Sequence, residues 1–438
     1  MQPRMVMRGF VLLAIIALVL TACGPQSQVA SVNHAPLIRV MLQQSTDSAT
    51  LIGKGEVSAQ VAGETQPHRL HFPTGTPILL SRGHDGWHIA SIVLGGPTGA
   101  AGALILSPEH DGDIAIGGKA YRGRYRFVPT DAQPSMTGSP TLAAMGLSSG
   151  IAPTALRFDA INDVDVDSYL KSVVTGEMPR TFLDEAYKAQ AIVARTYALY
   201  EANKTGIGRD FDVFSDTRSQ VYAGMASETD RSRLAAEQTG GIVVAAGPLG
   251  QERVFKAYFS ACCGGIGQSA ADAFGDPPSH ELMEMRVGAL CNESPRYNWP
   301  TIELTKAELT RRIRSWGAKR ARPEKDILPV NRIDIDKYNQ YGRPVRFIVT
   351  DDGGRRYGLS GEELRWACNS DAGSGPVLIS SFFNPVNTAD TVRFTEGHGS
   401  GHGVGLCQWC AQARAEHGMR HEDIVLLSYP GSKLVRAY

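Results

Sequence analysis

Three features of the chain predict an α+β fold. Residues 37–130 alternate apolar and polar residues in short segments separated by Gly, Pro and Asp, the pattern of antiparallel β-structure. From Leu156 onward strand-like and helical stretches mix without a regular βαβ alternation. One alanine-rich helical run, near 183–203, follows a turn that carries Glu177. The expected architecture is β-rich: a mainly antiparallel N-terminal part, then a part carrying a long helix after the Glu turn.

Taken in order, the chain opens with Arg4 and Arg8, an unbroken apolar run Phe10–Leu20, and Leu20-Thr21-Ala22-Cys23. The run is too short to span a membrane and fits a signal peptide. Its ending resembles a bacterial lipobox, so 1–22 is read as a lipoprotein signal peptide with Cys23 lipidated; cleavage near Ala22 without lipid is the alternative. Residues 23–36 read as a tether, and the expected location is extracytoplasmic, lipid-anchored to a bacterial membrane. Strands are predicted at Leu37–Leu42, Ile78–Leu80, Trp87–Leu94 and Tyr121–Val128. Residues 131–153, rich in Pro, Ser, Thr, Gly and Ala, read as a loop or insertion before a mixed strand-and-helix part at 154–438. Thr181 is the expected N-cap of the long helix, with Gly206 past its end. Lys+Arg and Asp+Glu are both 44, and a balanced charge argues against nucleic acid as a partner.

Three clusters carry chemistry. In Gly176-Glu177-Met178-Pro179 one carboxylate sits at a Gly/Pro-controlled turn ahead of the helix. Desolvation there raises its pKa and suits it to proton donation near neutral pH; a helix cap or a solvated turn is the bland alternative. Toward the end, Gly397-His398-Gly399-Ser400-Gly401-His402-Gly403-Val404-Gly405-Leu406-Cys407-Gln408-Trp409-Cys410 alternates glycines that let backbone pass close to a ligand. Two histidines four apart, an amide and an indole suit a sugar site; a Gly-rich turn into a helix near 408–417 is the alternative. The third cluster is Tyr258-Phe259-Ser260-Ala261-Cys262-Cys263-Gly264-Gly265, with Cys291 downstream.

In order and spacing these clusters resemble the SpoIID/LytB family, the stage II sporulation protein D and amidase-enhancer proteins. The likeness extends to Asp216-Thr217-Arg218-Ser219-Gln220-Val221-Tyr222-Ala223-Gly224, Thr239–Val244, Leu364–Trp366 and Ser380–Phe382 (read as later strands), and Tyr429-Pro430-Gly431-Ser432. The resemblance implies a SpoIID-like fold and a lytic transglycosylase that cleaves the MurNAc–GlcNAc bond of peptide-stripped peptidoglycan to leave 1,6-anhydro-MurNAc ends. It makes Glu177 the general acid/base and implies substrate contacts from Gln190, Arg195, Ser260, Gly264, Gly265, His398, His402, Gln408 and Trp409. Gln190 and Arg195, five apart, do not share the best-aligned helical stripe. The departures are Phe259 where the family often has His, Gly267 where it commonly has Thr, and an added thiol at Cys410.

Excluding Cys23, six cysteines remain: Cys262, Cys263, Cys291, Cys368, Cys407 and Cys410. Two readings stay open, disulfides and a structural Zn²⁺ site. The preferred ligand set is Cys263, Cys291, Cys407 and Cys410, with His402 as a substitute; some relatives resemble this in carrying a metal near the groove. The lytic chemistry itself requires no cofactor. The resemblance also leaves a second function open, a non-catalytic peptidoglycan-binding enhancer of a partner N-acetylmuramoyl-L-alanine amidase.

Overall fold

The computed structural model describes residues 34–96, 102–110, 112–130, 156–205, 208–375 and 377–438. The expected signal peptide, Cys23, most of the tether, the 131–153 loop and Gly206 lie outside the described residues.

The fold is α+β. Its largest sheet runs through Val213–Phe214, Leu37–Thr46, Phe158–Asp165, Arg124–Pro129, Leu104–Pro108, Ser48–Val61, Pro77–Gly83, Gly86–Ile89 and Ile92–Leu94. All neighbouring pairs along this path are antiparallel except the parallel edge pair of Leu37–Thr46 with Val213–Phe214. Phe158–Asp165 lies between two strands of the N-terminal part, pairing Ile38 with Val164 on one side and Phe127 with Ala160 on the other. The expected boundary between 37–130 and 154–438 therefore divides one sheet, not two folding units. The predicted strand Trp87–Leu94 is instead a hairpin, because Ala90 takes a left-handed φ of 51° and turns the chain back on itself.

Eight helices are described: α1 Val166–Glu177, α2 Asp184–Thr205, α3 Asp230–Gln238, α4 Ala270–Phe274, α5 Lys306–Lys319, α6 Gly361–Asn369, α7 Gln408–Glu416 and α8 His421–Ser428. Asp165 starts α1 by accepting the Ser168 N–H at 2.8 Å. Val166, Tyr169, Leu170, Val173 and Val174 recur every three or four residues and bury one face of it. From Ala186 to Leu199 only Lys188 of α2 is not fully buried, so this helix is enclosed nearly all round. Its alanines are small enough for α1, α3, α7 and α8 to close in on it. Thr181 is not its N-cap: the helix begins at Asp184, and Gln412 of α7 accepts the Leu183 N–H at 2.7 Å.

Residues between the third cluster and the closing motif build a lobe with its own core. Trp299, Leu309, Ile313, Trp316, Phe347, Phe383 and Phe394 pack together there, apart from the core shared by the large sheet and α1–α2. Leu364–Trp366, expected as a strand, lies in α6. Ser360 and Glu363 form a reciprocal capping box that nucleates this helix. Phe382, by contrast, opens a strand, Phe382–Asn387.

Candidate functional site: an acid at a helix end beside four thiols

Glu177 is the last residue of α1, not a member of a turn leading into α2. Met178 closes the helix through its N–H to the Val174 carbonyl, and Pro179 follows. The Glu177 carboxylate accepts the Val221 N–H at 2.7 Å. Gly176 makes that contact geometrically available. A β-carbon there would lie 2.6 Å from the Val221 carbonyl oxygen, so any side chain would push the 216–224 loop away. The loop is fixed from behind: Gln220 accepts from the Tyr169 hydroxyl at 3.1 Å, and Tyr222 donates to Asn162 at 3.0 Å. Burial pushes the Glu177 pKa up, and the Val221 N–H only partly opposes it. The partial negative charge at the end of α1 disfavours the carboxylate further. The result is a half-buried acid that holds its proton more tightly than a solvated glutamate.

The other sugar-contact candidates are arranged differently from expectation. Arg195 is fully buried and bridges Asp167, the Thr239 hydroxyl and the Ala236 and Ile242 carbonyls, so it braces α2 and cannot face a ligand. Gln190 and Gln408 are both buried and meet each other at 3.4 Å. The Ser260 hydroxyl accepts the Gly403 N–H at 3.1 Å, tying the third cluster to the closing motif. Gly264 and Gly265 have positive φ, and a β-carbon on either would strike backbone of residues 398–399 or of Gly288. The glycines admit two protein backbones to each other and not backbone to ligand. His398 and His402 diverge: His398 packs on Phe382 and Tyr297, His402 on Tyr258 and Phe274. His402 accepts the Val404 N–H on Nδ1, and burial pushes its pKa down to about 4, so it is neutral at pH 7. Trp409 meets Phe182 edge-on at 4.9 Å and packs against the cysteines, which joins the closing motif to the turn after Glu177.

Cys262, Cys263, Cys291, Cys368, Cys407 and Cys410 are all free thiols. The structure gathers Cys263, Cys291, Cys407 and Cys410 so that every sulfur lies within 4.8 Å of the others. Cys263 Sγ stands 3.7 Å from Cys291 Sγ and 3.9 Å from Cys410 Sγ. A tetrahedral zinc with Zn–S of about 2.3 Å needs sulfurs about 3.8 Å apart, so the donor set fits that ion. Cys407 caps α7 and receives the Cys263 and Cys410 N–H groups, each at 3.4 Å, donors that would orient a metal-bound sulfur. His402 is outside this group. Sequence reasoning missed Val221, whose contribution is a main-chain N–H, and Gly176 as the residue that admits it. Its only trace was the spacing of the Gln220–Tyr222 motif.

An acid ending one helix, a backbone donor from the Gln-x-Tyr-x-Gly loop and a Gly-rich closing motif define a SpoIID-type region. Residues 155–245 match the family model described as SpoIID, Stage II sporulation protein, and Glu177 falls within the match. The chain is 28% identical over 275 residues to an uncharacterized protein of Brachyspira hyodysenteriae, covering 63% of this chain and 68% of that one. It is 24% identical over 324 residues to the Stage II sporulation protein D of Bacillus subtilis, covering 70% of this chain and 84% of the relative. It is also 23% identical over 300 residues to the Amidase enhancer of Bacillus subtilis, covering 60% of this chain but only 40% of that protein. Residues 155–245 thus match a SpoIID domain, and the chain is similar beyond it to proteins described as Stage II sporulation protein D and Amidase enhancer.

Proposed function

We propose that this protein is a lytic transglycosylase of peptidoglycan, acting on glycan strands stripped of stem peptides. The observation that carries the reading is the single half-buried acid at the end of α1, with a raised pKa and one backbone donor. Glu177 protonates the oxygen linking MurNAc to GlcNAc as an oxocarbenium-like centre develops at C1. The resulting carboxylate takes the proton of the sugar's own C6 hydroxyl, whose oxygen closes on C1 as a 1,6-anhydro ring. Neither a second carboxylate nor a water is consumed. Cys263, Cys291, Cys407 and Cys410 would hold a structural zinc, and a four-thiolate shell leaves no position for a catalytic water. Bound there, an ion would cross-link Cys263 and Cys291 to the two cysteines of the closing motif, next to Trp409, which packs on Phe182 in the turn that follows Glu177. Export and anchoring through a lipidated Cys23 complete the reading, which places the enzyme in the cell envelope.

A second reading is favoured by one observation, the similarity to the Amidase enhancer of Bacillus subtilis. On that reading the chain binds glycan without cutting it and stimulates a partner amidase. Wild type and Glu177→Gln, incubated with peptide-stripped glycan and with intact sacculi, separate the two. Mass spectrometry should find 1,6-anhydro-MurNAc ends from wild type only, and from stripped glycan first. If neither protein makes such ends while both still bind glycan, the enzyme reading falls.

A further inference from the structure

We propose that α4 and the lobe at 298–398 together form a second sugar-binding cleft, floored by Trp366 and Phe274, that holds a pyranose ring of a glycan strand. The cleft encloses about 340 Å³ and is lined by α4, the strands around Lys337 and Arg346, and α6. That volume lies in the range of small-ligand sites. Trp366 is 36% exposed, unusual for the largest apolar side chain in a lobe whose other two tryptophans are buried. Its ring lies nearly parallel to that of Phe274, 19° apart with centroids 6.2 Å from each other. The partly exposed indole gives the cleft an apolar surface, backed by its stacking with Phe274, which suits the C–H face of a sugar.

The rim selects against ions. Asp272 is bonded to Lys337 at 2.7 Å, Arg346 to Asp336 at 3.1 Å, and Glu363 to Arg322 at 2.5 Å. Each charge already faces its opposite, so a charged ligand would gain little, whereas hydroxyls and acetamido groups can bridge such pairs by donating to one member and accepting from the other. The Arg320 guanidinium lies over the Trp366 ring, 5.7 Å from its centre, and helps hold the indole in place. Ring contacts through the core link the floor of the cleft to the helix that follows Glu177. Phe274 stacks on Tyr258 at 4.6 Å, and Tyr258 meets Tyr197 of α2 at 6.5 Å. A strand gripped at this cleft and near Glu177 is held at two points, so long strands bind better than short ones.

The choice of sugar polymer rests on the peptidoglycan reading, but binding at the cleft does not require Glu177. The test is calorimetric titration of the full-length protein, Trp366→Ala and Trp366→Phe with peptide-stripped glycan strands and with chitotetraose. Trp366→Ala should weaken binding of long strands about tenfold, with partial recovery in Trp366→Phe, and should raise KM for those strands while leaving kcat unchanged. If Trp366→Ala disturbs the fold by circular dichroism, the rim pair Asp272→Asn with Lys337→Met replaces it and should weaken binding severalfold. Wild-type affinity in a folded Trp366→Ala protein overturns the proposal, whether or not anhydro ends are made. Sugar binding that depends on Trp366 in a protein that makes no anhydro ends upholds the cleft and removes the lytic reading alone.

Discussion

Two glutamates flank the turn that joins α1 to α2, and the fold treats them in opposite ways. Glu177 closes α1 with one backbone donor and, among the described residues, no ion pair. Glu185 stands in the first turn of α2, bonded to Lys188 at 2.9 Å, to the His421 ring at 2.7 Å and to the His421 N–H at 2.8 Å. Burial pushes both carboxyls up. At Glu185 the neighbouring ammonium and imidazole win and hold it at about 2, while at Glu177 a lone N–H loses. A carboxyl that keeps its proton is made here by withholding partners, and one that stays ionised by supplying them.

That contrast can be broken in five ways. Glu177→Gln should lower the initial rate of anhydro-end formation by about 10²–10⁴-fold with no loss in melting temperature, since a neutral amide suits a desolvated position; a large drop in stability would sink the idea of a withheld partner. The acid form must be present to react, so the rate should fall as pH rises through the raised Glu177 pKa, and a pH–rate profile on stripped glycan reads that limb. Cys291→Ser, or treatment with a strong chelator, should reduce stability by about 4 kcal/mol, with zinc content measured by mass spectrometry falling in parallel. Equal melting curves with and without chelator would remove the metal. Gly176→Ala should cost about 2 kcal/mol and slow the reaction, because its β-carbon displaces the Val221 carbonyl; a crystal structure of the variant would show the loop shift. Glu185→Gln has the smallest effect, about 1 kcal/mol at pH 7 after screening, with activity near wild type. Its sign follows from a depressed pKa: the Glu185 contribution is full above the unfolded value near 4.5 and is lost as pH falls toward about 2. Thermal melts of both proteins across that window should converge at the acid end.

The sequence exposed what depends on residue type and local spacing. The α2 run, the acid in Gly-Glu-Met-Pro and the four-cysteine set were legible because helix periodicity, a short motif and thiol chemistry are local signals. Directions of burial were not. Arg195 and Gln190 look like ligand donors in a motif, but a helix packed on all sides turns both inward. Gly264 and Gly265 look like ligand-contact glycines, but the backbone they admit belongs to the closing motif and to Gly288. The donor to Glu177 is a main-chain N–H, and every residue but proline has one, so no side-chain pattern points to it. Trp366 reads as a strand residue until the Ser360–Glu363 capping box is seen to commit the segment to helix.

The lobe at 298–398 leaves and re-enters the molecule through an antiparallel pair, Asn298 with His398 and Trp299 with Gly397. Cys263 and Cys291 lie before this neck in the chain, and Cys407 and Cys410 after it. In the language of polymer loops, the thiol cluster gathers both ends of a long excursion, and an ion held there would fasten them. Closing such a loop grows costlier only with the logarithm of its length. The neck therefore behaves as a socket: lobes of quite different sizes can be carried between the same two strands, so the accessory surface can diversify while the acid, its turn and the thiols stay as they are.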